Sequence, residues 1–369
     1  MRESGHARRK QTLLVADAAG HILERIGATW KRYAPDMGYE LVLSESVSLG
    51  ACAKRAKELG FLHWLDMRRA LQGAKATLCP QVLTIYHHLT GEETQVRELV
   101  RTCDVLSAGS RLWQQRLEKL IGGKVWLTPQ SIDTEWFQPA LDRQIKRAEQ
   151  GLAPDEFVIG FVAKATANVA DRKGIDVLEK VLQGLQLPGP WSVLLVGQGW
   201  ETLAEKFRRQ GIKVSCMVPA NCLATKAAYA LMDVLLVTAR EEGGPATVLE
   251  AMSCGLPCVA TAVGHVPEML RSGENGWVSP VDDEAGLIEG LRSLAHSPKL
   301  CTRLGWEARE TCLRFWDDRI VVPKTNFEAM ARQARENYVC RPEEELQARA
   351  KRYLWYHWRD RLARWAKRK

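Results

Sequence analysis

Short apolar runs recur through the first third of the chain, each closing on polar or small residues: TLLVAD (12–17), YELVLSES (39–46), FLHWLDM (61–67), QVLTIYHH (81–88), CDVLSAGS (103–110) and KVWLTP (124–129). Each reads as a buried strand, and residues 18–33 and 51–59 between them read as helices. This alternation predicts βαβ units and a parallel sheet. A charge-rich stretch, 140–156, interrupts the rhythm. It then restarts with FVIGFVA (157–163), WSVLLVG (191–197), IKVSCMV (212–218), DVLLVTA (233–239) and PCVATAV (257–263), and turns helical from residue 291 onward. The pattern predicts an α/β chain of two Rossmann-like halves, 1–145 and 146–320, followed by helices over 321–350 and a tail over 351–369.

Length agrees, since 369 residues exceed what one growing core supports. With 46% hydrophobic and 26% charged residues the chain is globular in composition. It has no apolar run of 18 residues and no cleavable hydrophobic segment near its basic start, so a cytoplasmic location is expected. The ten cysteines form no CxxC pair, and reduced, mostly buried thiols are expected rather than zinc or disulfides. Nearly all of the net charge of +8 sits in the last 19 residues, which hold eight Lys/Arg against a single Asp. The remaining body is close to neutral, which argues against a nucleic-acid groove. A nicotinamide enzyme is disfavoured too, because LLVGQGW lacks the third glycine of a dinucleotide fingerprint.

The candidate chemistry concentrates in TAREEGGPATVLEAMSCGLPCVATAVGHVPE, 238–268. The strand before it ends near Ala239, which leaves 240–244 as a loop at the carboxyl end of the sheet, where doubly wound folds bind ligands. A helix is expected to begin at Pro245 and stop before Gly255. Gly243 and Gly244 keep the backbone bare ahead of that helix, so N–H groups and helix dipole can face an anion such as a phosphate. Glu250 falls about one turn beyond Ala246 on the same face and can accept two hydrogen bonds from a vicinal diol such as a ribose. Glu242, in the loop, can do the same for a sugar hydroxyl. Taken singly, each carboxylate reads first as a solvated group, Glu242 in a turn and Glu250 on an exposed helix face.

The stretch EEGGPATVLEAMSCGLPCVATAVGHVPEMLRSGENGWVSP resembles the nucleotide-sugar segment of family 4 (group 1) glycosyltransferases, and Glu242 and Glu250 meet its E-x7-E spacing. FVIGFVAK…RKGIDVLEKVL, LLVGQGWETL, TIYHHL and TPQSIDTEWFQP extend the likeness over roughly residues 12–320, densely in the second half and thinly in the first. The resemblance implies a GT-B fold with the active site between two Rossmann-like domains, and C-terminal helices that return to the first. It implies that Lys164 and Lys173 hold the donor diphosphate, that Glu242 and Glu250 flank a loop in which Gly243, Gly244, Pro245, Ala246 and Thr247 bind the donor, and that His87 rather than His88 contacts the donor sugar. Gly20 and His21 are the corresponding acceptor-side candidates. The usual E-G-F-G loop is here Glu242-Gly243-Gly244-Pro245, which removes an aromatic ring, and Lys164 replaces an arginine fork by a point charge.

The implied activity is a retaining, metal-independent hexosyl transfer from a nucleotide-diphosphate sugar to a hydroxyl of a glycan or lipid-linked acceptor, in cell-envelope polysaccharide or lipopolysaccharide synthesis. No cofactor and no metal are expected, the nucleotide sugar being a substrate. The alternative is an inactive nucleotide-sugar-binding subunit of a glycan-assembly complex. In KRYLWYHWRDRLARWAKRK (351–369) an arc of Leu354, Trp355, Trp358, Leu362 and Trp365 is flanked by cations at helical periodicity. That combination suits contact with an anionic membrane surface or packing on the protein.

Overall fold

The computed structural model of the chain describes residues 11–16, 22–33, 39–43, 56–61, 81–85 and 103–340. Packing divides them into two units. The first holds the described residues up to 108, 114–128 and those from 322 onward, and the second holds 109–113 and 129–321.

In the first unit six parallel strands, β1 (Gln11–Ala16), β2 (Tyr39–Leu43), β3 (Ala56–Phe61), β4 (Gln81–Ile85), β5 (Val105–Ala108) and β6 (Trp126–Leu127), are ordered β2-β1-β3-β4-β5-β6. This is the flavodoxin-like doubly wound order. One expectation fails here. Residues 51–59 read as helix and 61–67 as strand, yet β3 occupies Ala56–Phe61 and pairs Leu59 with Leu13. Ala, Lys, Glu and Leu favour a helix locally, and pairing with a central strand overrides that preference. The helix Phe327–Val339 packs within this unit: Phe327 meets Trp30 edge-on at 5.0 Å, Gln333 accepts from Trp126 Nε1 at 2.8 Å, and Asn337 donates to the Asp104 carbonyl at 2.7 Å.

The second unit carries β7 (Phe157–Val162), β8 (Trp191–Val196), β9 (Val214–Met217), β10 (Val234–Val237), β11 (Cys258–Thr261) and β12 (Trp277–Ser279), all parallel, in the order β12-β11-β10-β7-β8-β9. In chain terms this is the dinucleotide-type order 3-2-1-4-5-6. Alternation splits each strand between two cores. Leu235, Val237, Cys258 and Ala260 pack on one face with the helix Ala246–Ser253, whereas Val234, Leu236 and Val259 face the other with the helices Ile175–Gly184 and Glu284–His296. Both faces being covered, the strands read as unbroken apolar runs.

The boundary near 145 expected from the charge-rich stretch is displaced toward residue 129. Phe137 is fully buried against Tyr229 of the second unit, and its carbonyl accepts from Ser253 Oγ at 2.5 Å. Beyond it, the buried Arg147 donates to the Leu231 carbonyl at 2.7 Å and to Asp233 at 3.0 Å. Charge-rich sequence here is therefore an anchor, not a linker. No helix among the described residues is long and apolar enough to cross a membrane, and all eight described cysteines are free thiols, four of them buried.

Candidate functional site

The strand order of the second unit creates a switch point. The chain leaves β7 toward β8 and β9, then returns to lay β10 on the other side of β7, so the loops after β7 and β10 diverge and leave a crevice at the carboxyl ends. Lys164 stands exposed in the loop after β7, and residues 238–245 form the loop after β10.

A third segment, Asp171–Gly174, is fastened to that second loop. Thr238 Oγ1 donates to the carbonyls of Lys173 (3.0 Å) and Gly174 (2.8 Å), and the Arg172 carbonyl accepts from Arg240 N at 2.9 Å. Gly174 sits at φ +62°, and a Cβ there would lie 2.0 Å from the Thr238 carbonyl oxygen, so a glycine is required on both counts. The Arg240 side chain forks onto Asp176 at 2.6 and 2.7 Å and also reaches Asp171 and Asp282. Its partnership with Asp176 raises the guanidinium pKa and lowers that of the carboxylate. Arg240 is thereby consumed in holding the frame.

The fastening brings the sequence candidates together. Glu242, 6% exposed, receives Lys173 Nζ at 2.5 Å and Arg172 Nη1 at 2.8 Å on the same carboxylate oxygen, and its carbonyl accepts from Trp113 Nε1 at 2.7 Å. Glu242 is thus a buried, doubly paired carboxylate and not a solvated turn residue. Such a cluster can exchange a carboxylate–cation pair for contacts to an anion, and the carboxylate can accept from hydroxyls.

Gly243, Gly244 and Pro245 follow and are buried, with Ala246 and Thr247 partly open. The helix begins at Ala246, one residue later than expected, because Pro245 holds an extended ψ of 101° and acts as the cap; it runs to Ser253, and Gly255 at φ +76° lies just past its end. Glu250 lies on its buried face, 3% exposed, accepting from Tyr229 Oη at 2.7 Å and Thr225 Oγ1 at 3.3 Å. Burial first, and then the Glu250 charge, push the nearby Cys254 thiol up to about 12. Glu250 is therefore held by the short helix Lys226–Tyr229 and the turn before it, a contact that helical periodicity alone does not reveal.

Three residues of this constellation were not singled out by sequence reasoning. Arg172 lies beside Lys173 in the quoted RKG and was overlooked for its neighbour. Trp113 is distant in sequence and carries no local signal. His265, inside the 238–268 stretch, is completely buried beside Gly244. His87, Gly20, His21 and the tail 351–369 lie outside the described residues.

Comparison with known proteins bears on this geometry. Residues 142–311 match the family described as Glycosyl transferases group 1. That segment belongs to the group 1 glycosyl transferases. Within the group 1 segment fall Lys164, Arg172, Lys173, Glu242 to Thr247, Glu250 and His265; His87 and Trp113 fall outside it. A putative glycosyltransferase EpsD of Bacillus subtilis is 30% identical over 52% of this chain and 50% of its own length. A putative colanic acid biosynthesis glycosyltransferase WcaL of Escherichia coli is 26% identical over 67% of this chain and 59% of its own. The chain thus spans only about half to three fifths of these relatives. Among solved structures, Anabaena Alr3699/HepE in complex with UDP and glucose superposes with a TM-score of 0.72 at 16% identity, covering 88% of this chain and 100% of that one. The fold is accordingly that of GT-B glycosyltransferases, with two Rossmann-like units.

Proposed function

We propose that this chain is a retaining, metal-independent glycosyltransferase that moves a hexosyl group from a nucleotide-diphosphate sugar to a hydroxyl of a glycan or lipid-linked acceptor in envelope polysaccharide or lipopolysaccharide synthesis. The observation that carries the reading is the cluster of Arg172, Lys173 and Glu242 at the β7/β10 switch point, directly ahead of the helix Ala246–Ser253. Breaking a glycosyl–phosphate bond leaves a diphosphate with growing negative charge, and Lys173, Arg172 and Lys164 are the fixed cations able to stabilise it. Gly243, Gly244, Ala246 and Thr247 offer backbone N–H groups at a helix start for the same anion. Glu250 takes the nucleoside diol and Glu242 takes hydroxyls of the sugar, and the family resemblance assigns a sugar contact to His87 as well. The relatives named for polysaccharide synthesis, and the solved neighbours in complex with UDP or UDP-glucose, support the substrate class.

The deciding experiment incubates the protein with radiolabelled nucleotide sugars and a lipid-extracted envelope fraction. Transfer of label to a glycan or lipid with retained anomeric configuration, undiminished by EDTA, is expected. Tight nucleotide-sugar binding without release of nucleotide would favour the inactive-subunit alternative. The same reading places the protein in the cytoplasm with the basic Trp/Leu tail 351–369 on the inner membrane face. We expect the full chain, and not one ending at Ala350, to co-sediment with vesicles containing anionic lipid; equal binding by both would remove the tail from this role.

A further inference from the structure

His265 is a polar side chain buried without visible use. It is 0% exposed, and neither ring nitrogen has a hydrogen-bond partner among the described residues. Its position follows from the loop after β11, where His265 precedes the short helix Val266–Met269. The imidazole leans beside the Trp316 ring, centroids 5.9 Å apart, and points at the turn between Glu242 and the helix Ala246–Ser253. The fit to that turn is close: a Cβ on Gly244 would lie 2.3 Å from Nδ1 and 2.5 Å from Cε1. Gly244 is therefore bare because the histidine fills the space a side chain would take. Burial, the largest effect, holds the ring neutral, with a pKa lowered to about 4, while the Pro245 backbone and the Glu242 charge pull the other way. The Pro245 backbone thus acts on the ring as a hydrogen-bonding neighbour, although the contact falls short of full hydrogen-bond geometry.

An unpaired imidazole in a dry site is costly, and a leucine of similar volume would fill the space without that cost. We propose that His265 is a positioning residue for the Gly243–Pro245 turn, closing a hydrogen bond to its backbone when a nucleoside diphosphate draws the turn's N–H groups onto its phosphates. The inference rests on the proposed function, which makes this turn the diphosphate site. In the bound protein the histidine fixes the turn from behind, without touching the ligand.

The test uses the full-length protein, calorimetric titration with UDP, GDP and ADP, and a thermal melt of every variant. His265→Leu is expected to melt no lower than the wild type, having lost an unpaired polar group, while binding the preferred diphosphate at least tenfold more weakly. His265→Gln, which retains a donor and an acceptor, should recover part of that loss. Gly244→Ala should bind weakly and melt lower, and Gly244→Ala/His265→Gly should melt above Gly244→Ala by opening the space. Wild-type affinity in His265→Leu overturns the positioning role even if the diphosphate site stands. A double variant that melts no higher than Gly244→Ala overturns the close fit of His265 against Gly244. A wild-type protein that binds none of the three diphosphates overturns the site reading itself, and this inference with it.

Discussion

In the proposed donor site, Glu250 and Lys173 would take different parts. Glu250 is buried and already holds Tyr229 and Thr225, so it is a fixed acceptor whose removal is felt in binding. Replacing it by alanine would strand the Tyr229 hydroxyl, so Glu250→Gln is the cleaner probe. We expect its melting point to stay near that of the wild type while nucleoside diphosphate affinity falls by about 1.5 to 3 kcal/mol, the worth of a hydrogen bond to a charged group. Unchanged affinity in a calorimetric titration would take Glu250 out of the site. Lys173 shares Glu242 with Arg172, so Lys173→Ala leaves the carboxylate paired and the fold supported. On the proposed function, what it removes is charge opposite the leaving group. Turnover should drop roughly 100-fold or more, with a smaller change in donor KM. Near-normal turnover would show that Arg172 or Lys164 carries that task.

At the scale of elements, the site depends on one turn being fastened to one strand. Asp171–Gly174 reaches the end of β10 through Thr238, and the left-handed Gly174 allows the approach. Alanine at 174 would carry a left-handed penalty of about 1 to 2 kcal/mol, with a collision against the Thr238 carbonyl added to it. Gly174→Ala is therefore expected to lower the urea midpoint and also to weaken diphosphate binding, because Arg172 and Lys173 shift with the turn. Lost stability with intact binding would mean the cations are placed independently of it. The strands themselves were legible as apolar runs, since burial on both faces removes polar alternation. β3 was not, because AKELGF carries helix-forming residues and becomes a strand only through its neighbours β1 and β4.

For the molecule as a whole, His265 ties stability to pH. Its folded pKa, lowered to about 4 by burial, lies below the ordinary value of 6.5. Above pH 6.5 the ring is neutral whether folded or not, and its stability contribution is complete. As pH falls from 6.5 toward 4 the unfolded chain binds a proton that the folded chain refuses, so stability is lost through that window, by a few kcal/mol at most. Melting curves between pH 7.5 and 4.5 should show this loss in the wild type and a shallower one in His265→Leu. Parallel curves would mean that the ring is hydrated in solution.

The sequence by itself determined most of the elements and located the candidate residues: parallel strands from unbroken apolar runs, a helix opened by Gly-Gly-Pro, two glutamates at the spacing the family resemblance implies, and lysines near the ends of two loops. These are local properties, set by burial periodicity and backbone stereochemistry. Tertiary structure decided which charges meet. Arg172 and Lys173 converge on Glu242 because β10 is laid beside β7, and Trp113 reaches the same residue from 129 positions away in sequence. Residues 129–145 joined the second unit because Phe137 and Arg147 are buried there, against a charge pattern that placed the boundary near 145. The space beneath Gly244 was likewise invisible until His265 filled it. Pairing and packing act between segments far apart in the chain, and no periodicity in the sequence encodes their distance.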